Sequence, residues 1–77
     1  MNFYWVKKIE MQISLNNQQE TFEQDKLTIS EILAIKNFTF KMLVIKLNGT
    51  LVKKADYPVT EIKDGDELVV VHLVCGG

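Results

Sequence analysis

The stretch Asp64-Gly65-Asp66-Glu67-Leu68-Val69-Val70-Val71-His72-Leu73-Val74-Cys75-Gly76-Gly77 closes the chain and organises the rest of it. Asp64-Gly65-Asp66 is a turn signal, because Asp side chains bond nearby backbone and Gly takes positive φ without a steric cost. From Leu68 to Val74 runs an apolar, β-branched segment broken only by His72, the pattern of a buried central strand. The two final residues are glycines, which lose the most freedom on ordering and pack nothing. A strand has no structural need to end on them. They mark a tail that leaves the domain and can thread a narrow channel in another protein, presenting the Gly77 α-carboxylate there. Chain ends also fray for no functional reason; a strand running straight into the glycines favours a carboxylate projected from a rigid platform.

Upstream of this stretch, Met11, Ile13 and Leu15 alternate with Gln12, Ser14 and Asn16, a half-buried strand. Asn16-Asn17 tolerates left-handed backbone and predicts a hairpin, with Gln18 to Glu23 returning and burying Phe22. Thr28-Ile29-Ser30-Glu31 fits a capping box, so a helix starts near Ile29, its face formed by Ile29, Ile32, Leu33 and the stem of Lys36, with Asn37 as its stop. Phe38 and Phe40 fill the connection to a strand over Met42 to Asn48. Asn48-Gly49 is the strongest hairpin signal in the chain, and Thr50 to Lys53 returns from it. Ala55 to Lys63, with the chain's one proline, Pro58, has no clean period and reads as a loop containing at most a turn of helix.

These elements predict an α+β domain, a mixed sheet of about five strands with one main helix on one face. For the last strand to carry Gly77 outward from the centre, it must run parallel to the first. Residues 1–10, with Phe3, Tyr4 and Trp5 in a row, form an N-terminal extension without periodicity; residues 11–77 form the domain.

With 77 residues the chain is one domain with a small core. Nine lysines, no arginine and ten carboxylates leave a net charge of −1, which argues against nucleic acid. No apolar run reaches bilayer length, and Phe3-Tyr4-Trp5-Val6 followed by Lys7-Lys8 reverses the order of a secretory signal. One cysteine makes no internal disulfide, and one cysteine with one histidine is too few for a zinc site; a reducing cytoplasm and no metal are expected.

No Ser, His and Asp set, phosphate loop or convincing carboxylate pair is present, so the chain is expected to be a carrier or substrate, not an enzyme. Asp64, Asp66 and Glu67 resemble a metal cluster, but the first two are better read as shaping the turn. His72 reads as a hydrogen-bonded structural residue in its strand. Cys75 is open to two readings. It is a small residue in a small-residue slot, favoured because nothing nearby is cationic enough to lower its pKa, or a thiol positioned to bond a partner or attack an activated Gly77. By parity Leu68, Val70 and His72 face one side, while Val69, Val71 and Leu73 face the other. One helix covers one sheet face, so Val69, Val71 and Leu73 are expected beside the tail as a partner-docking surface.

The order of elements, the Asn48-Gly49 hairpin, the Lys63-Asp64-Gly65-Asp66 corner, the strand through Val71-His72 and the terminal Gly76-Gly77 together resemble the ThiS family of thiamine-biosynthesis sulfur carriers. The resemblance runs from Met11 to Gly77 and implies a ubiquitin-like β-grasp fold. It implies that a ThiF-like adenylyltransferase, using ATP and magnesium, activates the Gly77 carboxylate, with Gly76 and Cys75 in that enzyme's channel. A sulfur-donating enzyme then supplies sulfur derived from cysteine, and the thiocarboxylate passes it to a ThiG-like thiazole synthase. No cofactor would be stably bound. Cys75 departs in degree from the small residue common before the glycines. The small subunit of molybdopterin synthase is similar in fold and ending, but usually has prolines before its glycines, which Val71-His72-Leu73-Val74 lacks. A β-grasp interaction module that is never thiolated is the alternative from another class.

Overall fold

The computed structural model describes residues 9–39 and 41–73. Its elements in chain order are β1 (Met11–Leu15), β2 (Gln18–Phe22), β3 (Lys26–Thr28), α1 (Ile29–Ile35), β4 (Leu43–Leu47), β5 (Thr50–Val52), a 3-10 turn (Lys54–Asp56), β6 (Glu61–Lys63) and β7 (Glu67–His72). A five-stranded sheet has the order β2-β1-β7-β4-β5, and β3 pairs with β6 in a separate two-stranded ladder. The last strand is central. It runs parallel to β1 and antiparallel to β4, as expected of a strand meant to project the chain end.

Both hairpins follow from their turn residues. Asn16 and Asn17 have φ of 52° and 67°, and Asn48 and Gly49 have 51° and 85°, the double positive φ of a tight turn whose twist matches its strands. Each turn then fixes a register, placing Ile13 opposite Glu20 and Lys46 opposite Leu51.

The helix is short and its ends are closed. Thr28 Oγ1 accepts from the Glu31 N–H at 3.1 Å, and Glu31 Oε1 accepts from the Thr28 N–H at 2.8 Å. The Ile29 and Ser30 N–H groups donate to the Thr60 and Tyr57 carbonyls, so the first three helical donors are all satisfied. At the other end Asn37 takes φ 61°, its N–H donates to the Ala34 carbonyl and that of Phe38 to Leu33, a Schellman closure in which Phe38 packs back on the core. Thr28→Ala removes the capping box and should lower unfolding free energy by about 1 kcal/mol, measurable by urea denaturation.

The core lies between the sheet and the helix, from Met11, Ile13 and Leu15 through Ile29, Ile32 and Ile45 to Ile62, Leu68 and Val70. Two parts differ from expectation. The stretch read as a loop before the corner contains β6, which sends Ile62 into the core beside the equally unforeseen Leu27 of β3; Tyr57 is buried as well. His72 is exposed rather than facing covered core with Leu68 and Val70. β1 has already turned at Asn16, so the end of β7 outruns that neighbour. Phe40 lies outside the described residues.

Candidate functional site

The corner before β7 is tied to two parts of the sheet. Gln12 of β1 donates its N–H to Asp64 Oδ1 at 2.8 Å and accepts at its carbonyl from the Gly65 N–H at 2.8 Å. Gly65 has φ 88°, which a side chain would strain. Asp66, itself buried, accepts at Oδ2 from the Lys63 N–H at 2.9 Å and at Oδ1 from Asn48 Nδ2 at 3.2 Å. Asn48 Oδ1 in turn accepts from the Glu67 N–H. The two aspartates thus shape the corner, and Glu67 points into solvent.

From the corner, β7 is held on both edges. Ser14 and Asn16 donate to the carbonyls of Asp66 and Leu68 at 3.0 Å each. Where β1 turns away, the Asn16 side chain replaces its backbone: Oδ1 accepts from the Val70 N–H at 2.8 Å. On the other edge the ladder with β4 continues to the Leu73 N–H, which donates to the Met42 carbonyl at 3.0 Å. The chain is therefore anchored up to Leu73, and Val74, Cys75, Gly76 and Gly77 follow. Those four lie outside the described residues, so the positions predicted for the chemistry and the partner channel are described only up to their base.

The predicted docking residues are all described. Leu68 and Val70 are 0% and 9% exposed, whereas Val71 and Leu73 are 44% and 43% exposed and Val69 is half-buried, so the alternation separates a core face from an outer face. On that outer face Val71 has Val44 as its cross-strand partner, and Lys46 lies between Val69 of β7 and Leu51 of β5. Leu51 is exposed, and sequence reading missed it; its place opposite Lys46 was available from the Asn48-Gly49 register. Leu73 also walls a cleft of about 250 Å³ with Leu33, Phe38, Met42, Tyr57 and the stems of Lys41 and Lys54. A larger hollow, about 470 Å³, lies over Gln12, Gln19 and Asp64 near the start of β1, away from the tail. No helix among the described residues is long and apolar enough to cross a membrane.

A mixed sheet whose central last strand runs parallel to the first, with a single helix packed across it, defines a ubiquitin-like β-grasp protein. The model of the ThiS family matches residues 9–77, and the chain belongs to that family. It is 29% identical over 65 residues to the sulfur carrier protein ThiS of Bacillus subtilis (strain 168), covering 84% of this chain and 98% of that one. The crystal structure of the thiamine biosynthesis protein ThiS from Geobacter metallireducens superposes with a TM-score of 0.76 at 26% identity, over 87% of this chain and all of the other. The chain is accordingly a member of the ThiS sulfur carrier family.

Proposed function

We propose that this chain carries sulfur as a thiocarboxylate on Gly77 for thiazole formation in thiamine biosynthesis. The observation that carries this reading is the anchoring of β7, on both edges as far as Val70 and along β4 as far as Leu73, four residues short of a Gly-Gly terminus, in a member of the ThiS family. A ThiF-like adenylyltransferase binds the domain and supplies ATP and magnesium. The Gly77 carboxylate attacks the α-phosphate, pyrophosphate leaves, and the acyl adenylate replaces a poor electrophile by one with a good leaving group. Sulfide delivered by a sulfur-donating enzyme then attacks the acyl carbon and displaces AMP. A ThiG-like thiazole synthase takes up the sulfur. Enclosure of the tail protects the activated ester from water.

The test is the intact mass of the purified chain after incubation with ATP, magnesium, a ThiF-type adenylyltransferase and a sulfide source. A gain matching one oxygen replaced by sulfur is expected. An unchanged mass with an enzyme active on its own carrier would reject the reading and leave a docking module.

In this reading Val69, Val71 and Leu73 seat the activating enzyme. Val71→Glu should raise the KM for the carrier about thirtyfold, the equivalent of ~2 kcal/mol for a charge buried near the centre of an interface. Its melting temperature should stay close to that of the parent, because Val71 is on the outer face. Loss of the folded state would instead put Val71 in the core.

A further inference from the structure

Lysines outnumber carboxylates in the part of the chain that surrounds the end of β7. Between Phe38 and Ala55 the sequence has four lysines, Lys41, Lys46, Lys53 and Lys54, and no carboxylate, although the whole chain has a net charge of −1. The topology places three of them along the second half of β7, Lys46 on the outer face between Val69 and Leu51, and Lys41 and Lys54 on the helix side, at the cleft that Leu73 walls. Among the described residues none of the four lysines makes an ion pair; the pair formed is Lys36 with Glu20, at 3.0 Å on another part of the surface. Most carboxylates lie elsewhere, with Glu10, Glu20, Glu23, Asp25 and Glu31 on the first half of the chain, Glu61 on β6, and Asp64, Asp66 and Glu67 at the opposite end of β7; Asp56, in the 3-10 turn with Lys54, is the exception.

We infer that Lys41, Lys46 and Lys54 recognise a carboxylate-rimmed apolar surface on the enzyme that activates Gly77, a deepening that rests on the carrier function proposed above. Two targets compete for these charges: the enzyme's surface and its bound ATP. Distance decides between them. Four residues follow Leu73, and a four-residue segment threaded fully extended through a channel spans about 13 Å, whereas the Debye length at physiological salt is about 8 Å. The lysines at the base of the tail are therefore screened from a nucleotide at its tip and act on the rim of the channel it enters. An apolar centre flanked by an excess of one sign of charge is an arrangement that speeds encounter and fixes orientation, with burial of the centre holding the complex.

The experiment measures KM and kcat for adenylation of the full chain, with the ThiF-type enzyme and labelled ATP, over a range of ionic strength. The double variant Lys46→Glu, Lys54→Glu is compared with Lys26→Glu, Lys63→Glu, which makes the same change in net charge on the β3–β6 ladder. At low salt the first variant should show KM raised about tenfold with kcat unchanged, and the control should stay within about twofold. In ~1 M salt, where the Debye length falls to about 3 Å, the difference should vanish, and the parent's KM should rise with salt. Equal behaviour of the two variants, or a parental KM indifferent to salt, would overturn the inference while leaving the carrier function standing. If the parent chain itself is never adenylated, the carrier reading fails, and this inference fails with it.

Discussion

A chain ending at Gly76 should leave the activation mixture with its mass unchanged, yet still compete with the full-length protein for the activating enzyme. Removing one residue withdraws the carboxylate by about 3.5 Å. Attack on a bound phosphate requires the reacting atoms to come within about 3–3.5 Å, and a misplacement of about 1 Å can cost on the order of a hundredfold, so a full residue removes the reaction altogether. The domain cannot slide forward to compensate, because Leu73 is bonded to Met42 and the base of the tail is fixed relative to the docking face. Docking, as proposed above, depends on Val69, Val71 and Leu73, none of which the truncation touches. Retained competition with lost thiolation separates a carrier from an interaction module, for which the last glycine is dispensable. Loss of both would place Gly77 in the binding interface itself.

The parts of the fold legible in the sequence are those whose cause is local. Asn16-Asn17 and Asn48-Gly49 dictate their turns through the φ they tolerate, Thr28 and Glu31 cap the helix through their own side chains, and alternation in β1 and β4 states which side is covered. The parallel placement of β7 followed from its apolar run and the need to project the terminus. The missed pieces are held by distant partners. β3 and β6 are three residues each, too short to show a period, and exist because Lys26–Thr28 and Glu61–Lys63 meet across 33 or more residues of chain. The bond from Val70 to Asn16 and that from Asn48 to Asp66 likewise join residues whose proximity only the assembled sheet creates. At the site, parity located Val71 and Leu73 correctly as exposed, but parity says nothing about where cover stops, so His72 was assigned the wrong surroundings.

Leu68→Ala should cost the domain about 3 kcal/mol, within the ~2–5 kcal/mol spread for truncating a fully buried leucine. Leu68 is 0% exposed and stands at the one position where β7 has partners on both sides, Leu15 of β1 and Leu47 of β4. The cavity is enclosed by two strands held in register by backbone hydrogen bonds, which limits how far the site can collapse around it. For a domain of this length, about 4–8 °C of melting temperature per kcal/mol turns that loss into a fall of roughly 12–24 °C. A small core leaves little reserve, so at 37 °C a measurable unfolded fraction is expected. Val71→Ala, three residues on and on the outer face, should change stability by less than about 1 kcal/mol. Thermal melts of the two variants give the comparison directly. Equal losses would show both faces of β7 to be covered in the isolated chain, and would remove the exposed patch on which the proposed docking of the activating enzyme rests.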